Sequence, residues 1–179
     1  MKEAAPFDSQ PTLVGETVTL SPLRDDDWEA LFAVAADPLI WAVHPAHDRW
    51  QEPVFRRFFA DAMESGGCLV IRDKASGEVI GSSRYDARRV EPGEVEIGWT
   101  FLARTYWGGA TNREIKTLMI AHALRWFDAA VFMVGDGNIR SRRAMEKIGG
   151  ELLAGRTPVF DMAGTPSPHV VYAIRQPLS

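Results

Sequence analysis

The stretch EVEIGWTFLARTYWGGATNRE, residues Glu94–Glu114, decides the fold of this chain. Its beginning alternates polar and apolar side chains, which predicts a β-strand over Glu94–Leu102. The glycine-rich turn Trp107–Ala110 follows, and apolar residues then recur at helical spacing over Ile115–Trp126. Such a turn exposes unpaired backbone N–H groups at the positive end of a helix, where phosphate binds. A tight connection without a ligand gives the same pattern, so the turn alone leaves both interpretations open.

The familiar phosphate-binding motifs do not fit this turn. The chain contains no G-x-x-x-x-G-K-[ST] sequence, and the second half of G-x-G-x-x-G is missing. The turn also follows the fourth predicted strand instead of the first. These differences disfavour a nucleotide-binding α/β protein for ATP or NAD.

The elements predicted on either side of this stretch indicate a mixed sheet. Alternating or apolar runs predict strands, and apolar residues at helical spacing predict helices. The strands lie over 16–23, 68–72, 79–85, 94–102, 131–134, 152–161 and 169–175, and the helices over 28–35, 53–64, 115–126 and 139–148. Three consecutive strands without a helix argue against a doubly wound parallel sheet. We therefore expect the α/β (α+β) class, with one mixed, mostly antiparallel seven-stranded sheet and helices on both faces.

The composition fits one globular domain that binds neither nucleic acid nor membranes. The chain has 179 residues, of which 46% are hydrophobic and 25% charged, and its formal net charge is −4. This charge gives no general attraction to nucleic acid or anionic lipid. No apolar run has the length of a signal peptide or a membrane span, so we expect a soluble, cytoplasmic protein. Residues 1–14 are expected to form a loose leader and residues 15–179 the domain.

A second informative segment is NIRSRRAMEKIGG, residues Asn138–Gly150. Asn138 and Ser141 are three positions apart in the first helical turn and share a face. On its own this pattern indicates a helix N-cap and a favourable first-turn residue. The segment also holds three arginines, for which a solvated helix face and a phosphate contact are the two interpretations. They are Arg140, Arg142 and Arg143.

In this order, the two segments resemble the GNAT acyltransferase superfamily, nearest to its RimJ/RimL-like branch of ribosomal-protein N-terminal acetyltransferases. Members of this branch read E-I-G-Y, then Y-W-G-x-G-x-x-T-E-A, then N-x-x-S-x-x-x-x-E-K-x-G-F. The corresponding stretches here are Glu96–Trp99, Tyr106–Glu114 and Asn138–Gly149. The resemblance covers about residues 16–175 and implies a single GNAT-like domain.

The resemblance implies that acetyl-CoA is a co-substrate without covalent attachment. The backbone of the glycine-rich turn would bind its pyrophosphate, and the strand before the turn would hold its pantetheine arm where it splays from the next strand. Asn138 would bond the same arm, and Ser141 would lie near the leaving sulfur. The implied cofactor-binding residues are Trp99, Thr100, Phe101, Arg104, Gly108, Gly109, Ala110, Thr111, Asn112, Asn138 and Ser141. Dimers are common in the family, so the resemblance also makes a homodimer an expectation.

Three positions depart from the family pattern. Thr105 replaces the Gln or Arg that begins the family turn, and the adjacent Arg104 is the expected substitute. Ala110 occupies the third position of the turn. Met145 replaces the tyrosine that often protonates the departing thiolate, and a thioether has no proton to give. Ser141 or a bound water would then protonate the thiolate, unless the thiolate leaves unprotonated.

A carboxylate is the expected proton acceptor for the substrate ammonium group. Strict alternation places Glu94, Glu96 and Thr100 on one strand face. It places Trp99 and Phe101 on the opposite face, together with the apolar residues that precede them. A partly buried glutamate is suited to general-base work, so Glu96 is the expected base, directly or through water, and Glu94 a substrate-side residue. A solvated strand face without a catalytic role is the alternative.

Aromatic and histidine residues are concentrated between the first two predicted helices. Family members wall the acceptor site with this region, so Trp41 and His44 are expected to bind the substrate. The nearby His47 and Asp48 raise the alternative of a metal site, and simple loop packing is another. We expect no metal here.

Two titratable side chains are expected in the core instead of the site. Cys68, the only cysteine, lies in the apolar run Cys68–Ile71 and is expected to be a buried, unreactive thiol. His122 lies on the apolar face of its predicted helix and is expected to be a packed core histidine.

Two functions of different classes remain. The first is an acetyl-CoA-dependent N-acetyltransferase that moves an acetyl group to a primary amine by direct attack in a ternary complex. Its acceptor would be a protein N-terminus or a small-molecule amine. The alternative, motivated by Met145, is a non-catalytic acyl-CoA-binding sensor or partner module on the same fold.

Overall fold

A nine-stranded mixed sheet forms the centre of the computed structural model, which describes residues 1–179. The strands are β1 (Leu13–Val14), β2 (Val18–Pro22), β3 (Cys68–Asp73), β4 (Val79–Asp86), β5 (Glu94–Leu102), β6 (Ala129–Gly135), β7 (Glu151–Leu152), β8 (Val159–Met162) and β9 (Thr165–Ile174). The helices are α1 (Trp28–Ala35), α2 (Pro38–Trp41), α3 (Glu52–Ser65), α4 (Thr111–Ala123) and α5 (Ile139–Lys147). No helix is both long enough and apolar enough to cross a membrane.

The strand order in the sheet is β1-β2-β3-β4-β5-β6-β9-β7, and β8 pairs with the first residues of β9. All neighbouring strands are antiparallel except β5 and β6. The expected mixed, mostly antiparallel sheet is therefore confirmed. The sheet has nine strands instead of seven for two reasons. The two-residue β1 is too short to give a sequence pattern, and the turn around Gly155, with φ of +83°, divides the strand expected over 152–161 into β7 and β8.

Residues 1–14 pack against the rest of the chain instead of forming the expected loose leader. The ring of Phe7 meets those of Tyr85, Trp126 and Phe127 at centroid distances of 5.3, 5.4 and 4.9 Å. The Trp126 indole N–H donates to a backbone carbonyl of the segment at 2.8 Å, and β1 adds an edge to the sheet. Order was predicted from hydrophobic periodicity, and this segment has none: its contacts come from one aromatic ring, Phe7, and from scattered hydrogen bonds.

Two hydrophobic layers cover opposite faces of the sheet, which confirms the prediction of helices on both sides. One layer includes α4 and α5, where Ile115 and Met119 are fully buried. The other includes α1, α2 and α3, where Trp41 and Phe55 are fully buried. Burying a large apolar side chain stabilises the folded state by about 1.5–3 kcal/mol relative to leaving it exposed. The helices are therefore fixed firmly on the sheet, which positions the loops between them.

The expected core positions of Cys68 and His122 are confirmed. The Cys68 side chain is buried in β3, and burial raises the pKa of its thiol to about 11. His122 is buried in α4, where its Nε2 lies 2.8 Å from the backbone oxygen of Asp8. Neither side chain is available for chemistry at the surface.

The parallel strands β5 and β6 pair over a short length and then separate. Residues 94–96 of β5 pair with residues 129–131 of β6. Beyond this point β5 continues along β4, and β6 continues along β9. A gap therefore opens at the carboxyl ends of two adjacent parallel strands, where α/β sheets commonly bind ligands.

Candidate active site

A cleft of about 410 Å³ lies in the gap between β5 and β6. The residues predicted for the site that line it are Trp41, His44, Glu96, Trp99, Thr100, Phe101, Gly108, Asn112, Asn138 and Ser141. Those that do not line it are Glu94, Arg104, Gly109, Ala110 and Thr111. The splayed strands thus bring the two informative sequence segments to one cavity.

A β-bulge at Trp99 changes which side chains of β5 share a face. Trp99 has a φ of +53°, in the left-handed region, and the pairing of β5 with β4 slips by one residue there. As a result, Phe101 joins the core under α1–α3, while Ile97 joins the core under α4. The Thr100 hydroxyl bonds that of Ser83 at 2.8 Å. The expectation of strict alternation is therefore wrong beyond the bulge, because one extra residue reverses the faces.

The glycine-rich turn leaves backbone donors free beside the cleft. α4 begins at Thr111, and its N-cap, Ala110, gives no side-chain bond to the first turn. Gly108 has a φ of +74°, which favours glycine, and only open space lies where a side chain would point. Backbone N–H groups at an uncapped helix start are suited to binding an anion.

The helices α4 and α5 each contribute one cationic side chain to the cleft, Lys116 and Arg140. Burial lowers the pKa of Lys116. The guanidinium of Arg140 lies 5.5 Å from the ring centroid of Trp107 in the glycine-rich turn. Lys116 was not predicted, although its spacing of four residues from Asn112 was the available signal. Arg142 does not line the cleft and forms an ion pair elsewhere.

Arg104 lies outside the cleft. Its Nε is 2.5 Å from Oδ2 of Asp37, and this bond holds the pKa of the Asp37 carboxyl below its usual value. The structure therefore does not place Arg104 at the turn, where it was expected to replace the family's Gln or Arg.

The start of α5 contributes polar groups to the cleft. Oδ1 of Asn138 accepts a hydrogen bond from the backbone N–H of Ser141 at 3.2 Å, so Asn138 is the N-cap of α5. The Asn138 amide NH₂ forms no bond within the protein and is free to donate. Ser141 lines the cleft close to the buried, apolar side chain of Met145.

Glu96 is the only carboxylate in the lining of the cleft. Its side chain is buried, and both of its oxygens accept hydrogen bonds of 2.8 Å from Arg89. Each oxygen keeps a further lone pair with which to accept a proton or another bond. Glu94 lies outside the cleft, in an ion pair with Arg156 at 2.8 Å. Arg89 was missed because it lies in the connection before β5, seven residues from its partner.

Two neutral histidines line the cleft in opposite tautomers. Nδ1 of His44 accepts the backbone N–H of Ala46 at 2.9 Å, so the ring proton is on Nε2. Burial, followed by the charge of Arg49, lowers the His44 pKa to about 4. Nδ1 of His169 donates to the backbone oxygen of Ser167 at 2.8 Å, and burial lowers its pKa, so Nε2 carries a lone pair.

Trp41 forms part of the same wall. Its indole N–H donates to the Ala35 carbonyl at 2.8 Å, and its ring packs against Phe101. His47 is exposed, and no group of three or more metal-ligating side chains is placed to hold a metal ion.

Residues 17–151 match the family of acetyltransferase (GNAT) domains. The chain belongs to the GNAT acetyltransferase family. Members of the GNAT family use acetyl-CoA, so this is an acetyl-CoA-dependent acetyltransferase. A search of curated proteins finds no match to the sequence.

Solved GNAT structures have the same fold. A GCN5-related N-acetyltransferase from Brucella melitensis superposes with a TM-score of 0.76 at 20% identity, over 93% of this chain and 79% of its own. A GNAT-family acetyltransferase from Bacillus anthracis gives a TM-score of 0.72 at 17% identity, over 92% and 98%. RimJ from Mycobacterium smegmatis, in complex with CoA-disulfide, gives 0.68 at 16% identity, over 92% and 86%. Identities this low show the shared fold, and the RimJ/RimL-like branch stays a prediction for this GNAT protein.

Proposed function

We propose that the protein transfers the acetyl group of acetyl-CoA to a primary amine by direct attack within a ternary complex. The observation that carries this proposal is the single cleft between β5 and β6. At its cofactor side, the cleft has the glycine-rich turn, Asn112, Lys116 and the start of α5. At its acceptor side, it has Trp41, His44, Arg49, Glu96 and His169. One cavity therefore offers groups for a polyanionic cofactor and for an amine.

The cofactor side fits the chemistry of acetyl-CoA. Backbone N–H groups of residues 108–112 bind the pyrophosphate, and the charges of Lys116 and Arg140 favour its phosphates. The β5 backbone around Trp99–Phe101 and the free amide of Asn138 hold the pantetheine arm. Arg104 takes no part while it is paired with Asp37.

The acceptor side fits the proton transfers that amide formation requires. A substrate ammonium group gives one proton to Glu96 through a water molecule, and Nε2 of His169 accepts a hydrogen bond from the neutral amine. The amine nitrogen then forms a bond to the thioester carbon, the carbon–sulfur bond breaks, and the nitrogen gives its second proton to water. Ser141 donates a hydrogen bond to the departing thiolate, which takes its proton from water. The products are an N-acetylated amine and CoA.

The experiment that tests this function is a thiol-release assay. The protein is incubated with acetyl-CoA and a panel of amino acids, peptides, polyamines and simple alkylamines. A thiol reagent detects free CoA without interference, because Cys68 is the only cysteine and is buried. We expect amine-dependent thiol release, with the acetylated amine identified by mass spectrometry. Tight binding of acetyl-CoA without release for any amine would instead favour the non-catalytic acyl-CoA-binding module.

A further inference from the structure

One guanidinium at the acceptor side has no anionic partner. The two other arginines nearby are each paired. Arg84 bonds Asp61 at 2.5 Å, and Arg89 bonds Glu96 at 2.8 Å. The side chain of Arg49 forms neither an ion pair nor a hydrogen bond with the protein, and it lines the cleft. A largely enclosed charge without a counter-ion is costly, so Arg49 is poised for an anion.

Aromatic rings hold Arg49 in place. Its guanidinium carbon lies 5.6 Å from the ring centroid of Trp41 and 4.8 Å from that of Phe58. Both rings are buried, and Trp41 is further fixed by its bond to Ala35. A guanidinium held over aromatic rings is attracted to them without using its N–H donors, and those of Arg49 form no hydrogen bond with the protein. Burial lowers the Arg49 pKa to about 10, so the group is still cationic at neutral pH.

Among the charged side chains that line the acceptor side, Arg49 is the one without an ion pair, and the carboxylates of Asp48 and Asp61 act on its guanidinium only from beyond ion-pair distance. Lys116 and Arg140 belong to α4 and α5, where the phosphates of the cofactor are proposed to bind. Arg89 and Glu96 neutralise each other. A ligand that occupies the acceptor side therefore meets one unpaired cation as well as the groups that receive its amine.

We propose that the acceptor carries a carboxylate beside its primary amine and that Arg49 binds this carboxylate through two parallel hydrogen bonds. The planar fork of a guanidinium matches the two oxygens of a carboxylate. This inference rests on the proposed acetyl transfer and specifies the class of amine. The carboxylate belongs either to a free amino acid or to an acidic residue next to the N-terminus of a peptide.

Matched acceptor pairs test the proposal. Thiol release is measured with phenylalanine and phenylalaninamide, with methionine and methioninamide, and with peptides that have Asp or Asn after the first residue. We expect the carboxylate member of at least one kind of pair to have the higher kcat/KM, by about 10- to 100-fold. The amino-acid and peptide pairs identify the source of the carboxylate. Equal rates within every pair would overturn the proposal.

Variants of Arg49 assign the preference to this side chain. Arg49→Gln should lower kcat/KM for the preferred carboxylate by about 10- to 100-fold, mainly through KM, and so remove most of its advantage over the amide. Arg49→Glu should reverse the preference in favour of the amide. Arg56→Gln is the matched control, because Arg56 also stacks on a tryptophan, Trp28, but outside the cleft. A loss of acetyl-CoA affinity in Arg49→Gln, with selectivity unchanged, would overturn the proposal by assigning Arg49 to the cofactor.

A binding measurement separates this inference from the proposed function. N-acetylphenylalanine and its amide are titrated calorimetrically into the protein saturated with CoA. Preferential binding of the acid, lost in Arg49→Gln, would support the carboxylate site even if no amine were acetylated. Thiol release with amines that lack a carboxylate, together with equal binding of N-acetylphenylalanine and its amide, would support acetyl transfer and overturn the carboxylate site.

Discussion

Replacing Gly108 by valine is expected to weaken acetyl-CoA binding by more than it destabilises the fold. Gly108 has a φ of +74°, and no atom lies near the position of an added Cβ. A valine there meets no steric clash from neighbours but is strained in the left-handed conformation by about 1–2 kcal/mol. The turn relieves this strain by rotating its backbone, which moves the N–H groups that we propose bind the pyrophosphate.

The size of the effect follows from the bonds at risk. A hydrogen bond to a charged group contributes about 1.5–3 kcal/mol, so each N–H turned away from the pyrophosphate weakens acetyl-CoA binding about 10- to 100-fold. Isothermal titration gives the affinity, and urea unfolding gives the stability. A domain of this size should lose only about 2–8 °C in Tm from the strain itself.

Gly77 provides a matched control for this variant. Its φ is +76°, it has the same open space, and it does not line the β5–β6 cleft. Gly77→Val should therefore lose as much stability as Gly108→Val and keep the affinity of the wild type for acetyl-CoA. Wild-type affinity in Gly108→Val, or equal weakening in both variants, would refute the assignment of the turn to the pyrophosphate.

Three further predictions concern other parts of the molecule. Glu96→Gln should lower kcat about 100-fold with little change in acetyl-CoA affinity. Asp86→Asn is the control and should leave kcat unchanged, because Asp86 lies opposite Glu96 in β4 but is paired with an arginine outside the cleft. Equal losses of kcat in both variants would show that Glu96 is not the base. The pKa of His44 is about 4 in the folded state, below its ordinary value of 6.5, so the unfolded chain binds more protons between these two pH values and the stability of the fold falls as the pH drops through this range. Urea unfolding of His44→Asn should show a smaller fall in stability over the same range. A pH dependence equal to that of the wild type would contradict this prediction. Phe7→Ala should destabilise the fold by about 2–4 kcal/mol, and an unchanged urea midpoint would show that residues 1–14 do not stabilise the domain.

The sequence was most informative where one pattern repeats over several residues. Alternation over β5 and helical spacing in α4 predicted both elements, and the order of strands and helices predicted a mixed sheet. The predicted start of α4, at residue 115, is four residues too late, because the first turn from Thr111 is polar and gives no apolar spacing. Residues 1–14 were expected to be loose, because a single aromatic side chain produces no periodic signal.

Long-range pairing decided the parts of the site that the sequence left open. The bulge at Trp99 depends on the pairing of β5 with β4, so strict alternation misplaced Phe101. The partner of Glu96 lies in a loop whose path cannot be read from local pattern. Arg49 was overlooked because its significance is the absence of a partner, which only the folded arrangement shows.

The most direct test of the central claim is a crystal structure of the protein with CoA bound. We expect the pyrophosphate at the backbone N–H groups of residues 108–112, the pantetheine arm between β5 and β6, and the sulfur near Ser141. The acceptor side around Glu96 and Arg49 should remain open to an amine. CoA bound outside this cleft, or with its phosphates at the Arg49 side, would contradict the account.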